Sequence, residues 1–222
     1  MLLALLKSEF RLKLTLTVLL NVVFWTGYGL LGRHAFFPVY DMSATALDRM
    51  IPFQPEPWSW VYLSYYALSG GLPWLLPDRA SIRRYMVCVA VMVIISFSAF
   101  LFLPTRVLRP TELGDGFAMN LIVGLDGTMN ACPSLHAAFI ASMSGLAWRV
   151  FGTVIPRWLV VFCAVWLAAV LYSTIAIRQH YVMDLVAGAL TGWFAHWLAW
   201  RGASAAATMP VNSERMSHDG MR

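Results

Sequence analysis

Six apolar runs, at roughly 14–31, 58–76, 85–103, 134–151, 156–176 and 181–200, occupy most of the 222-residue chain and leave room for little else. Each is long enough, or nearly so, to cross the hydrocarbon core of a bilayer, which takes about 20 residues of helix. An apolar fraction of 59%, a charged fraction of 12% and a mean hydropathy of +0.66 are far from the proportions of a soluble domain. The expectation is an all-α integral membrane protein: a bundle of six transmembrane helices forming a single catalytic domain over residues 1–203. Residues 204–222, rich in Ala, Ser and Met and carrying Pro210, read as a disordered cytoplasmic tail.

The runs differ in quality. Gly70, Gly71 and Pro73 interrupt the second, which predicts a kinked span, while Trp58, Trp60, Tyr62, Tyr65 and Tyr66 suit an interfacial aromatic belt. Lys7, Arg11 and Lys13 precede the first run and no small-residue cleavage site follows closely. That pattern reads as a retained span preceded by a short interfacial helix, in preference to a cleaved signal peptide. Cys88, Cys132 and Cys163 match no metal-ligand spacing, and no chemistry is assigned to them.

Arginine and lysine counts in the connecting segments set an orientation. Lys7, Arg11 and Lys13, then Arg79, Arg83 and Arg84, then Arg149 and Arg157, and finally Arg201, Arg215 and Arg222 all fall on one side. The other side has only Arg33, Arg49, Arg106, Arg109 and Arg178, mixed with acids such as Asp41, Asp48 and Glu56. Both termini are therefore expected in the cytoplasm, in a plasma or inner membrane, with the acid-bearing loops periplasmic, luminal or extracellular. The net charge of +5 is mostly this orientation signal, and nothing resembles a nucleic-acid footprint.

The same assignment gathers the unusual polar residues on one face. Arg109 follows the third run, His136 opens the fourth, and Arg178, His180 and Asp184 lie where the fifth turns into the sixth. Ionisable groups near hydrocarbon are costly and are kept mainly where they line a site. Short connections make the fourth and fifth helices, and the fifth and sixth, antiparallel neighbours, so His136 and His180 are expected to face each other. His180 and Asp184 are four apart and share a helix face, so the carboxylate can hold one imidazole nitrogen and leave the other free to attack. Pro133 and Ser134 look like a helix start beside His136, where free backbone N–H groups and the positive end of the helix dipole favour an anion. With Arg109 and Arg178 as planar donors, the set suits phosphoryl transfer: one histidine attacks phosphorus and the other protonates the leaving oxygen.

"RP" at Arg109-Pro110, "PSLH" at 133–136 and "ST…HYVMD" from Ser173 to Asp184 resemble the three motifs of the type 2 phosphatidic acid phosphatase superfamily, which also includes vanadium haloperoxidases. The resemblance covers roughly residues 104–188. It implies His180 as nucleophile, Asp184 as its orienting partner, His136 as general acid, and Arg109 with Ser134 as phosphate ligands. Arg178 and Ser173 are further candidates for the phosphate, and neither a metal nor another cofactor is implied. The sequence also departs from the family pattern. Phe102 stands where the first motif has a lysine, leaving Arg106 as the nearest cation; Leu135 replaces a glycine; and Thr174 replaces an arginine. "PSLH", "QHYVMD" and "IPFQPEPW" at 51–58 are similar to the inositol phosphorylceramide synthase branch.

Bland readings stand beside these. Arg109 and Arg178 can serve as snorkelling anchors, and Ser173 can satisfy helix backbone. His34, His196 and His218 are read as packing or interfacial residues, and Glu112, Asp115 and Asp126 as solvated loop residues. Gly114, Gly116, Gly124 and Gly127 suggest mobility of that loop over the site. The expected function is a lipid phosphate phosphatase acting on a phosphatidic acid-like phosphomonoester. The alternatives are a phospho-head-group transferase that uses an acceptor alcohol in place of water, and a non-catalytic protein that binds anionic lipid.

Overall fold

A computed structural model describes residues 2–202. The tail expected at 204–222 and His218 lie outside the described residues. The chain runs through α1 (Leu2–Lys7), α2 (Phe10–Arg33), β1 (Tyr40–Asp41), α3 (Ala46–Met50), α4 (Pro55–Gly71), a 3-10 turn (Leu72–Leu75), α5 (Arg79–Phe102), β2 (Thr105–Arg106), α6 (Phe117–Leu125), α7 (Leu135–Phe151), α8 (Arg157–Ala176) and α9 (Val182–Trp200).

The six apolar runs correspond to α2, α4, α5, α7, α8 and α9. Of these, α2, α5, α8 and α9 are long and apolar enough to cross a membrane, whereas α4 and α7 have 17 residues each. The break expected in the second run falls at its end: α4 tightens into the 3-10 turn where Pro73 has no N–H to offer a regular helix. The first run is preceded by a separate short helix, with the chain reversing at Glu9 (φ 50°). Lys13 fastens that reversal. Its ammonium is buried and donates to the Leu5 carbonyl (2.6 Å), the Trp74 carbonyl (2.8 Å) and Ser8 Oγ (3.1 Å), so it caps the end of α1.

The helix neighbours differ from the sequence expectation. Helix α9 packs most extensively against α7 and next against α5, while α8 lies against α4 and touches α7 only slightly. The reason is a pair of small residues one turn apart. Gly188 and Gly192 on α9 press against the backbone carbonyls of Ser134 and Ala138 on α7, leaving no space for a Cβ atom at either position. Between apolar helices in lipid, such close backbone approach supplies the dispersion contact that hydrophobicity cannot. The main core forms around this seam, with Val89 and Met92 of α5, Met143 of α7 and Ala195 of α9 all essentially inaccessible.

The loops at the other end of α5 are tied to one another. Strand β1 pairs in parallel with β2, Tyr40 opposite Thr105 and Asp41 opposite Arg106, and Thr105 also bridges Asn130. The long loop carries α6, whose Met119 and Ile122 are buried against Tyr62 of α4 and Ile177. Gly127 sits directly on the backbone of Gly32, and Gly114 takes a left-handed turn (φ 80°). This segment is packed onto the bundle, and two of the glycines read as mobility signals serve contact and turn geometry instead.

Candidate active site

Two polar helix starts meet at one end of the α7–α9 seam. Ser134 caps α7, its Oγ accepting from the Ala137 N–H (3.4 Å), and its own N–H donates to the Asp184 carbonyl (3.0 Å) in the first turn of α9. In turn, Asp184 Oδ2 accepts from the Tyr181 N–H (2.8 Å), fixing the start of α9. The approach to α9 is a tight turn in which the Thr174 carbonyl receives both the Gln179 (2.9 Å) and His180 (3.1 Å) N–H groups. These backbone ties hold His180 rigidly against α7.

The result is a buried imidazole pair. His136 Nδ1 and His180 Nε2 are 3.2 Å apart, with both rings about 5% exposed. His180 Nδ1 lies 3.8 Å from Asp184 Oδ2, close enough for charge attraction but beyond hydrogen-bond length. Both His180 Nδ1 and Asp184 Oδ1 are buried without a hydrogen-bond partner.

Behind His136 lies a second buried polar group. Asp126, expected to be solvated, is only 5% exposed. Its carboxylate accepts a short hydrogen bond from Tyr62 Oη and a second, at 3.2 Å, from Tyr28 Oη. The Tyr62 oxygen is in turn 2.6 Å from His136 Nε2. Burial pushes the Asp126 carboxyl up, while the Tyr62 hydrogen bond and the nearby His180 and Arg109 charges pull the other way. Neither tyrosine has a local sequence signal: they are 98 and 64 residues from Asp126.

Arg109 reaches the same place from the loop after β2. Its Nη2 donates to Gln179 Oε1 (2.5 Å) and to the Gly127 carbonyl (3.1 Å). Burial makes the guanidinium easier to deprotonate than usual, an effect offset chiefly by Asp126. Arg109, Gln179, Asn130 and His180 line one small cavity of about 10 Å³, space for one water at most. The side-chain amide nitrogens of Gln179 and Asn130 are buried there without partners. Free N–H donors beside a guanidinium suit phosphate oxygens, and neither amide was singled out from the sequence.

The remaining candidates are placed elsewhere. Arg178, in a left-handed conformation (φ 55°), donates to the backbone carbonyls of Asp48 (3.0 Å), Ile51 (2.7 Å) and Ile175 (3.3 Å), and does not join the histidine pair. Ser173 is fully buried and its hydroxyl returns to the Val170 carbonyl (2.6 Å). Thr174, where the family has an arginine, is likewise fully buried. Arg106 forms an exposed two-pronged pair with Asp41 (2.8 and 3.2 Å) and supplies no cation in place of the missing lysine. No group of three or more His, Cys, Asp or Glu side chains is arranged to hold a metal among the described residues.

On its other side, His136 opens onto a much larger cavity of about 310 Å³. It runs between α2, α4 and α5 from Tyr28 and Asp126 down to Lys13, past Leu16, Leu20, Phe24 and Tyr66. On α2 that distance is fifteen residues, roughly 22 Å of helix.

Four apolar helices of spanning length, packed with the shorter helix that carries His136, point to an integral membrane protein with a buried histidine pair. A family model described as the PAP2 superfamily matches residues 85–207, and the chain belongs to that superfamily, whose members are generally phosphoester hydrolases or related enzymes. No curated protein and no solved structure matches the chain.

Proposed function

We propose that the protein hydrolyses a phosphomonoester of a membrane lipid through a phosphohistidine formed on His180. The observation that carries this reading is the buried imidazole pair, 3.2 Å apart between reacting nitrogens, with Asp184 behind one ring and Arg109 beside it. The substrate phosphate displaces the contact between the rings and takes donors from Arg109, Gln179 and Asn130. His180 Nε2 attacks phosphorus, the ester P–O bond breaks, and the leaving alkoxide takes a proton from His136. Water then attacks phosphorus while His136 accepts its proton, the P–N bond breaks with its electron pair returning to His180 Nε2, and inorganic phosphate leaves. Asp184 balances the charge that His180 gains while phosphorylated.

The large cavity supports a lipid substrate, since its mostly apolar walls can take a hydrocarbon chain while the phosphate meets the histidines. The arginine and lysine distribution supports an active site on the periplasmic, luminal or extracellular face, with cytoplasmic termini. Leu20→Trp, which fills the middle of the cavity, is expected to lower kcat/KM for long-chain phosphomonoesters about tenfold and leave short-chain ones within about twofold. Exclusion of about two methylenes, at roughly 0.8 kcal/mol each, gives that ratio. Equal loss on both chain lengths would remove the cavity from substrate binding.

The two arginines should separate cleanly. Arg109→Ala is expected to weaken inhibition by inorganic phosphate about 10- to 100-fold, the worth of a hydrogen bond to a charged group. Arg178→Ala should lower the melting temperature in detergent and leave phosphate inhibition within about twofold. The direct test of the function uses purified protein and radiolabelled lipid phosphate, with and without acceptor alcohols. Labelled inorganic phosphate released without acceptor is the expected result. A labelled product lipid that requires the alcohol would replace hydrolysis by head-group transfer, and binding without turnover would leave an anionic-lipid-binding protein.

A further inference from the structure

The line of buried groups behind His136 has no place in the two-histidine scheme. Tyr62 is wholly inaccessible, and its hydroxyl sits between His136 Nε2 and the Asp126 carboxylate. A tyrosine hydroxyl has one proton. If that proton is directed at the carboxylate, the phenol oxygen is left as an acceptor, and His136 Nε2 must carry a hydrogen. The other nitrogen of the ring, Nδ1, then faces His180 and the reaction. The second carboxylate oxygen is held by Tyr28, so Asp126 cannot swing away from Tyr62 without losing both contacts.

We propose that Tyr62 and Asp126 form a relay that positions His136 and keeps it charged as the general acid, Asp126 supplying through Tyr62 the negative charge that balances an imidazolium. This rests on the assignment of His136 as the proton donor. At the start of the step His136 carries hydrogens on both nitrogens, Nε2–H toward Tyr62 and Nδ1–H toward the leaving oxygen. As the P–O bond breaks, the Nδ1 proton passes to the alkoxide and His136 becomes neutral, with Nε2–H still bonded to Tyr62. The attacking water returns the proton to Nδ1 in the second step. The Tyr62 and Asp126 protons stay in place throughout, so both are positioning residues that act through His136.

The other groups around His136 do not duplicate this role. From α4, Tyr65 and Tyr66 present ring faces and edges at centroid separations of 5.1 and 6.5 Å. From the α8–α9 turn come His180, the reaction partner, and Asp184, which caps α9. Arg109 approaches from the loop after β2 and is cationic. Asp126 is thus the anion with a hydrogen-bonded path to Nε2.

The discriminating experiment varies the leaving group. An alkyl phosphate leaves as a strongly basic alkoxide and needs the acid, whereas p-nitrophenolate leaves without a proton. For Asp126→Asn, kcat/KM on a long-chain alkyl phosphate is expected to fall about 100-fold, while kcat/KM on p-nitrophenyl phosphate changes less than about threefold, because kcat/KM ends at release of the alcohol, before the water step in which His136 acts as base for both substrates. The alkaline limb of the alkyl phosphate profile should move to lower pH: the acid must be protonated to work, and without the carboxylate it loses its proton sooner as pH rises. Tyr62→Phe, which keeps the ring in place, is expected to show the same selectivity and serves where the asparagine variant folds poorly. Equal losses on both substrates with an unmoved pH limb would overturn the relay and leave a structural role. Wild-type protein inactive on both esters would instead sink the hydrolase reading on which the relay rests.

Discussion

Replacing His180 by alanine is expected to lower release of inorganic phosphate from a lipid phosphomonoester by about 10⁴-fold or more, with little change in melting temperature. Where a nucleophile and its partners act as a unit, removing the nucleophile costs nearly all of the catalysis, and what remains comes from binding and charge stabilisation. The ring is about 4% exposed, so its removal leaves a cavity, but its one side-chain hydrogen bond is to His136 and its Nδ1 is buried without a partner, so the lost packing is offset in part by removing an unsatisfied polar group. Its backbone, which is held by the Thr174 carbonyl, is unaffected by the change. A quench of wild-type protein with radiolabelled donor should trap an acid-labile, base-stable phosphoryl label that is missing from the variant. Undiminished phosphate release by His180→Ala would remove this residue from the mechanism.

The second large effect is structural. Gly192→Leu is expected to cost at least about 3 kcal/mol, the upper end for overpacking, because its Cβ would enter the carbonyl of Ala138 and neither backbone can yield within a continuous helix. The helices must separate, and the separation passes directly to the distance between His136 and His180, which ride on the two sides of the seam. Thermal stability and turnover should therefore fall together. This contrasts with His180→Ala, where turnover alone is lost. A Gly192→Leu protein that melts within a degree or two of wild type would show that the α7–α9 contact does not have the close packing described here.

Much of the site was legible because its chemistry is local. His136, Ser134, His180 and Asp184 lie at helix starts whose sequences announce them, and the structure brings them together at one end of the α7–α9 seam. The route by which the histidines meet is not local. Short connections predict that the fourth and fifth helices, and the fifth and sixth, are antiparallel neighbours. The structure instead joins α7 to α9 directly. The spacing Gly188-Ala-Leu-Thr-Gly192 was present in the sequence, but nothing in it named Ser134 and Ala138 as the surface it would touch. Asp126 illustrates the complementary failure. An aspartate beside Gly124 and Gly127 has the composition of a solvated turn, and only two tyrosines from distant helices make it a buried acceptor. The role of Arg178 also depended on partners far away in sequence, the carbonyls of Asp48 and Ile51.

That last attachment bears on how the protein is put together. Besides the two carbonyls that receive Arg178, the loop before α4 offers the Asp48 carboxylate to the Val182 N–H at 2.9 Å, across a separation of 134 residues. Asp48 is synthesised with the first helices, yet its partner belongs to the last one. Before α9 is present, the loop holds Arg178 and the end of α8 but lacks the Val182 N–H, and the turn bearing His180 lacks that part of its outer support. The candidate site is therefore completed only by the final helix: a chain halted before α9 carries His136, Arg109 and Asp126 but lacks Asp184 and the seam that sets His180 against His136.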